Sequence, residues 1–147
     1  EVGRALLSPE AGAAAFARAN GASYVLLTFG GLTGYGGDDL NKALWMARAA
    51  EAAFPGEVSE EDYAPGGALA VGRAAPAAMR ASALYRLSYF RFGGLATDRS
   101  RPPGYDRARA AEVGAEVEEL EHFEEAFTTA NWLMRVYRVK PPPAFEA

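Results

Sequence analysis

Helix-favouring and hydrophobic residues are concentrated in three stretches whose ends carry the signals of helix boundaries. The first, 9–19, follows a serine and begins with Pro-Glu, and its alanine-rich run stops at Asn-Gly. The second, 38–53, can be capped by Asp38 and is stopped by a Pro-Gly pair. The third, 76–92, places its large apolar residues on one helical stripe and is followed by two glycines. The pattern predicts one helix in each stretch.

Two further stretches have the composition of β-strands. Residues 23–29 are mostly aromatic, branched or apolar and are followed by two glycines, and residues 132–139 have a similar composition before three prolines. Residues 57–75 are acidic and then rich in glycine and proline, which predicts a loop with one possible short strand at 68–71. Helices and strands alternate, so we predict a single globular α/β domain in which a small mixed sheet is flanked by helices; an α+β fold is the alternative.

Composition narrows the classes of protein that fit this pattern. The 147 residues are half apolar and 23% charged, which is enough for one domain with its own core. A net charge of −4 argues against nucleic acid as the main partner, and the absence of cysteine excludes a disulfide framework and thiolate zinc sites. The longest strongly apolar run, 24–29, is far shorter than the roughly 20 residues that span a bilayer. We expect a water-soluble piece, and its start at a glutamate suggests a segment of a longer chain; a processed mature protein is the alternative.

A glycine-rich turn lies between the first predicted strand and the second predicted helix, as it does in phosphate-binding loops. The turn lacks a Gly-Lys-Ser/Thr pattern, and Asp38 and Asp39 place two negative charges where a phosphate would lie. A flexible or left-handed backbone between strand and helix is the simpler interpretation. A small phosphate-binding protein is therefore a weaker hypothesis.

Three side chains near the start of the second predicted helix could address one ligand together. Asp39, Lys42 and Met46 have the spacing i, i+3 and i+7, which projects them from one helical face. Spacing alone is explained as well by a surface ion pair of Asp39 with Lys42 beside a methionine that belongs to the core.

Other candidate sites have simpler structural explanations. His122, the only histidine, lies among glutamates, where a solvated surface is expected rather than a metal centre. A cluster of arginines could bind an anion such as a pyrophosphate or a lipid head group, or balance the glutamates that follow it. Its members are Arg99, Arg101, Arg107 and Arg109. One histidine and no cysteine exclude Ser-His-Asp and Cys-His catalytic arrangements.

The segment 39–46, Asp-Leu-Asn-Lys-Ala-Leu-Trp-Met, resembles the Asp-x-x-Lys-x-x-x-Met motif of the oligosaccharyltransferase catalytic subunit. Blocks on both sides of it resemble the eukaryotic form of that family, and they follow one another in the family's order. These blocks are 24–35, 89–93, 101–107 and 128–140. The likeness extends from about residue 2 to residue 140.

The resemblance implies that residues 1–147 form the soluble C-terminal domain of a larger membrane glycosyltransferase subunit, on the lumenal face of the endoplasmic reticulum membrane. Such an enzyme performs protein N-glycosylation: it transfers a lipid-linked (dolichyl-diphosphate) oligosaccharide to the asparagine of an Asn-X-Ser/Thr sequon. By the same resemblance, Lys42 and Met46 help to surround the pocket for the sequon Ser/Thr, and Asp39 orients the motif.

The resemblance assigns the chemical step to other parts of such an enzyme. This chain has no Trp-Trp-Asp motif, which completes the sequon pocket in the family, and no transmembrane helices with acidic ligands for a divalent metal, Mn or Mg. We therefore expect no catalytic residue, metal site or cofactor here, and no activity from this piece alone. Expected partners are the acceptor peptide, the transmembrane part of the same subunit and the other subunits. The alternative role is a protein-interaction module that docks other subunits without touching the peptide.

Overall fold

Helices dominate the first two thirds of the chain, and strands dominate the last third. The computed structural model describes residues 1–145. The helices are α1 (Val2–Leu7), α2 (Glu10–Ala19), α3 (Ala43–Ala53), α4 (Glu60–Tyr63), α5 (Ala77–Ala81) and α6 (Ala83–Tyr89). The strands are β1 (Tyr24–Thr28), β2 (Tyr105–Asp106), β3 (Ala111–Glu112), β4 (Phe123–Thr128) and β5 (Met134–Val139). Within this part of the chain, no helix combines the length and the apolar character that crossing a membrane requires.

The main sheet has three strands in the order β1-β5-β4. A short turn joins β4 to β5, so these consecutive strands pair antiparallel. β1 pairs antiparallel along the other edge of β5, with Leu26 opposite Val136, and β2 and β3 form a separate two-stranded ladder. The predicted α/β class, one domain with a small sheet and several helices, is confirmed. The described strands pair antiparallel throughout, however, where a mixed sheet was predicted, because β1 and β4 both run opposite to the central strand.

Aromatic side chains fill the core between the sheet and α6. Phe29 meets Tyr89 and Phe92 edge to face, with 5.3 Å between ring centroids in both pairs. The inner face of the sheet contributes Tyr137, whose hydroxyl donates to the carbonyl of Leu87 at 2.6 Å. Full burial of one such side chain contributes about 1.5–3 kcal/mol, so the cluster ties the sheet to α6.

The second predicted helix starts later than its sequence suggests. α3 begins at Ala43, whereas the cap signal at Asp38 predicted a start at 38. The carboxylates of Asp38 and Asp39 accept hydrogen bonds from the backbone of the preceding strand and loop, as described below, so residues 38–42 form turns instead of a first helical turn.

The third predicted helix is interrupted. Ser82 divides the stretch 76–92 into α5 and α6 with an extended backbone (φ −65°, ψ 146°), and its hydroxyl accepts a hydrogen bond from the N–H of Tyr85 at 3.2 Å. Serine therefore acts as a cap inside an otherwise continuous apolar stripe. The first predicted helix, 9–19, corresponds to α2.

The strands differ more from the sequence pattern. The stretch 23–29 contains β1, but the strand predicted over 132–139 begins only at Met134, because Trp132 has a left-handed backbone (φ 58°) in the turn before it. Residues 68–71 form no strand and lie between two short 3-10 turns, Pro65–Gly67 and Gly72–Ala74. Neither β4 nor α1 was predicted, since β4 contains two adjacent glutamates and α1 is only six residues long.

Candidate functional site

The loop between β1 and α3 is organised by Asp38, whose side chain is fully buried. One carboxylate oxygen accepts the N–H of Gly30 at 2.8 Å, and the other accepts the N–H of Asn41 at 3.0 Å. Gly30 is required at its position, because a Cβ there would lie 1.7 Å from the carbonyl oxygen of Tyr35. Asp38 thereby joins the beginning of the loop to its end.

Arg109 connects this loop to a distant part of the chain. Its guanidinium donates to Asp38 at 2.7 Å and to Asp106 at 2.9 Å, and its side chain is only 7% exposed. Burial alone would lower the pKa of Arg109, but the hydrogen bond to Asp38 and the charges of both carboxylates raise it above its ordinary value. The guanidinium therefore stays charged and compensates two buried acids.

Tyr89 completes the buried network. Its hydroxyl donates at 2.5 Å to Oδ2 of Asp106, the same oxygen that the Arg109 guanidinium contacts. Burial, together with the neighbouring carboxylate, raises the pKa of Tyr89 well above its ordinary value. The phenol thus remains a hydrogen-bond donor and links the loop network to the aromatic core.

Asp39 faces the strand and does not project from a helix as predicted. It accepts the N–H of Thr28 at 2.6 Å, and its own N–H donates to the carbonyl of Thr28 at 3.0 Å. Its other oxygen lies 3.3 Å from the ammonium of Lys42, so the ion pair suggested by the spacing is present. The two hydrogen bonds to Thr28 fix Asp39 at the end of β1, and its ion pair restrains the side chain of Lys42.

Lys42 and Met46 border one surface groove of about 400 Å³, which we call the motif groove. Lys42 lies immediately before α3 with its side chain 55% exposed, and Met46 is half-buried on the first turn of the helix. The opposite wall is formed by α1, where a Cβ on Gly3 would come within 3.2 Å of the Met46 Cβ. The remaining members of the groove include Glu1, Arg4 and Trp45. Asp39 lies behind this groove and does not line it.

The motif groove combines two kinds of surface. Lys42 and Arg4 supply cationic hydrogen-bond donors, although Arg4 also pairs with Glu57 at 2.7 Å. Met46 supplies a polarizable apolar surface, and Trp45 is 67% exposed beside it. Such a groove can hold a small hydroxyl-bearing side chain by its polar end and its apolar end together.

The residues of the other candidate sites do not come together in the described part of the structure. Arg109 is buried with two aspartates, while Arg101 lies over the ring of Tyr105 with 5.0 Å to its centroid, so the predicted arginine cluster is divided. The imidazole of His122 lies 3.9 Å from Glu121, and its backbone N–H donates to Glu10 at 3.0 Å. Within residues 1–145, no three histidine, cysteine or acidic side chains converge as a metal site requires. The N–H of Gly30 in the glycine-rich turn serves Asp38, which disfavours a phosphate cradle there.

Comparison with known proteins identifies relatives over nearly the whole chain. No protein-family model matches it. The chain is 49% identical over 96% of its length to the dolichyl-diphosphooligosaccharide–protein glycosyltransferase subunit STT3B of Arabidopsis thaliana, and 47% identical over the same share to the STT3B subunit of Oryza sativa subsp. japonica. It is 44% identical over 95% of its length to the STT3 subunit of Dictyostelium discoideum.

The chain spans only about a fifth of the length of these relatives, 19% of the two plant proteins and 20% of the Dictyostelium protein. The similarity covers the motif at 39–46 and the arginine and aspartate residues that hold its loop, since it extends over 140 or 141 residues. The chain is therefore homologous, over nearly its full length, to one segment of the STT3 subunits of dolichyl-diphosphooligosaccharide–protein glycosyltransferase.

Proposed function

We propose that this chain is the soluble C-terminal, sequon-recognising domain of an oligosaccharyltransferase catalytic subunit in the lumen of the endoplasmic reticulum. The observation that carries the proposal is the position of Lys42 and Met46 on one groove, in a chain homologous to STT3 subunits. In the longer enzyme, the groove would hold the Ser/Thr of Asn-X-Ser/Thr while the asparagine receives the lipid-linked oligosaccharide.

In this proposal, Lys42 and Met46 contact the two parts of a threonine side chain. Lys42 is positioned by Asp39 to donate toward the hydroxyl, and Met46 can cover the methyl group that serine lacks. Burying one such carbon contributes about 0.8 kcal/mol, or roughly a fourfold difference in affinity. The groove should therefore favour threonine over serine without excluding serine.

The chemical step belongs to other parts of the longer enzyme. Asp38 and Asp39 are neighbours, but Asp38 is held by Arg109 and Asp39 by Lys42 and the backbone of Thr28, so they do not fit a divalent cation. In this proposal, the Mn or Mg ion and the acids that activate asparagine lie in the transmembrane part. This domain contributes the position of the acceptor, and the piece alone is inactive.

A second proposal is a docking module that contacts other subunits and not the peptide. It is favoured by large apolar side chains that are exposed on two faces, Trp45 at 67% and Phe127 at 59%. The two proposals differ in one respect: only the first places an acceptor peptide against Lys42.

Met46→Ala in the full-length enzyme tests the sequon proposal. The change removes the apolar cover of the methyl group, so the preference for Asn-X-Thr over Asn-X-Ser peptides should fall by about fourfold. The measurement is kcat/KM for paired peptides that differ only at that position. Met134→Ala is the matched control, because Met134 is 41% exposed on the sheet and lies outside the groove. An unchanged Thr/Ser ratio in Met46→Ala would remove Met46 from the pocket.

A further inference from the structure

The outer edge of β1 presents unpaired backbone groups. Phe29 donates to the carbonyl of Leu133, and Val139 donates to that of Ser23, which fixes the odd-numbered residues of β1 as the ones bonded to β5. The N–H and C=O groups of Tyr24 and Leu26 therefore point away from the sheet. They form no hydrogen bond with any residue in the described part of the chain.

At the C-terminal end of β1, the outward backbone groups are already hydrogen-bonded by another residue. At Thr28, the outward N–H bonds the carboxylate of Asp39 and the outward C=O bonds its N–H. Asp39 thus acts as one residue of an additional strand. The two preceding outward positions, Tyr24 and Leu26, lack such a neighbour within residues 1–145.

An apolar cleft of about 240 Å³ lies beside the same edge. Its lining includes Val2 and Leu6 of α1, Phe16 of α2, Ala22, Val25 and the buried Phe123 of β4. A strand added to β1 would turn alternate side chains toward this cleft, because successive side chains of a strand point to opposite faces. The unpaired edge can bind a segment with an extended backbone, and the cleft can bind an apolar side chain of that segment.

The connectivity of the fold indicates where such a strand comes from. α1 and α2 lead directly into β1, and a strand followed by a helical crossover of a dozen or more residues pairs parallel to the next strand. β5 occupies one side of β1, so the free edge is the available position. Val2, at the start of α1, already borders the cleft, and the relatives are about five times longer than this chain.

We propose that the free edge of β1 and the cleft beside it receive an extended, apolar strand from the segment that precedes the matching region in the longer STT3 relatives. The strand pairs parallel with Tyr24 and Leu26 and places an apolar side chain in the cleft. It makes β1 an inner strand of a four-stranded sheet. This proposal is independent of the role of Lys42 and Met46.

Backbone amide exchange tests the proposal. The probe is this chain extended at its start by the segment, about 30 residues, that precedes the matching region in Arabidopsis STT3B, which is enough for a strand and its connection. Exchange at Tyr24 and Leu26 should slow by about tenfold or more on extension. Val25 and Leu27, which bond β5 in both proteins, should exchange alike and report that the sheet is intact.

Two outcomes would overturn the proposal. Equal exchange of the Tyr24 and Leu26 amides in both proteins would mean that no strand is added. If these amides are protected in the unextended chain and the protection increases with protein concentration, the edge pairs with a second copy of the chain.

A variant tests the contribution of the cleft. Ala22→Glu in the extended protein introduces a charge at the cleft from an exposed position, so the protection of Leu26 should be lost while Val25 and Leu27 keep theirs. Ala52→Glu, at an exposed position on α3 away from the cleft, is the matched control and should retain the protection. Full protection of Leu26 in Ala22→Glu would contradict a side chain seated in the cleft.

Discussion

Arg109 is the single residue that fixes the loop between β1 and α3, through its contact with Asp38. The sequence grouped it with Arg99, Arg101 and Arg107 as a basic surface cluster, and no local pattern separates a buried arginine from exposed ones. Its partner Asp106, at 2.9 Å, lies three positions earlier, but Arg101 follows Asp98 by the same spacing, so the spacing does not distinguish the two. The second partner, Asp38, is far away in sequence, so that contact required the fold.

Arg109→Ala should be strongly destabilising, because it leaves the charges of Asp38 and Asp106 buried without their counter-ion. Removing one partner of a buried pair costs about 3–5 kcal/mol. Urea denaturation measures this as a lower free energy of unfolding. The control is Arg107→Ala, an exposed position where the loss should stay within about 0.5 kcal/mol. Equal losses in the two variants would contradict the buried network.

Among the secondary-structure elements, those with strong end signals were predicted best. The helix predicted over 9–19 corresponds to α2, but the predicted serine cap is wrong: Pro9 is the N-cap residue, and the Ser8 hydroxyl donates to the carbonyl of Ala5. The start of α3 and the break at Ser82 could not be predicted, because a side-chain oxygen near a helix end can cap that helix or bind another segment. β4 was missed because its glutamates pair across the sheet surface, as Glu124 does with Arg138, and so resemble a solvated loop.

Ser82→Ala should weaken the junction between α5 and α6. The hydroxyl that accepts from Tyr85 is lost in a fully buried position, and loss of a serine cap costs about 0.5–2 kcal/mol. Thermal or urea unfolding reads out the change. Ser59→Ala is the matched control, since Ser59 precedes α4 but makes no side-chain capping bond. A loss in Ser59→Ala as large as that in Ser82→Ala would argue against capping as the cause.

At the scale of the whole molecule, the α/β class and the resemblance to the oligosaccharyltransferase subunit were predictable from the sequence. The order of several blocks identified the family, whereas the geometry of the candidate site did not follow from spacing. The helical face predicted for Asp39, Lys42 and Met46 is wrong for Asp39, because its carboxylate binds Thr28. The structure nevertheless places Lys42 and Met46 on one groove, and their role there stays a prediction.

Alkaline pH should lower the free energy of unfolding of the domain through its buried tyrosines. Burial raises the pKa of Tyr89 in the folded state, whereas an unfolded tyrosine ionises near pH 10. Stability is therefore fully present below about pH 10 and is lost as the pH rises toward the folded pKa. The measurement is the free energy of unfolding between pH 8 and 11. Tyr89→Phe should flatten the decline relative to Tyr24→Phe, an exposed control; equal declines would contradict this assignment.

An acceptor peptide held in the motif groove would lie against Lys42 and Met46. Photo-crosslinking in the full-length enzyme detects such a contact, with an Asn-X-Thr peptide that carries a photoreactive group beside the threonine. We expect labelling at the start of α3, around Lys42 and Met46, and its loss when alanine replaces the peptide's threonine. Labelling that is absent from this groove while the peptide is still glycosylated would rule out sequon binding at the groove and favour the docking module.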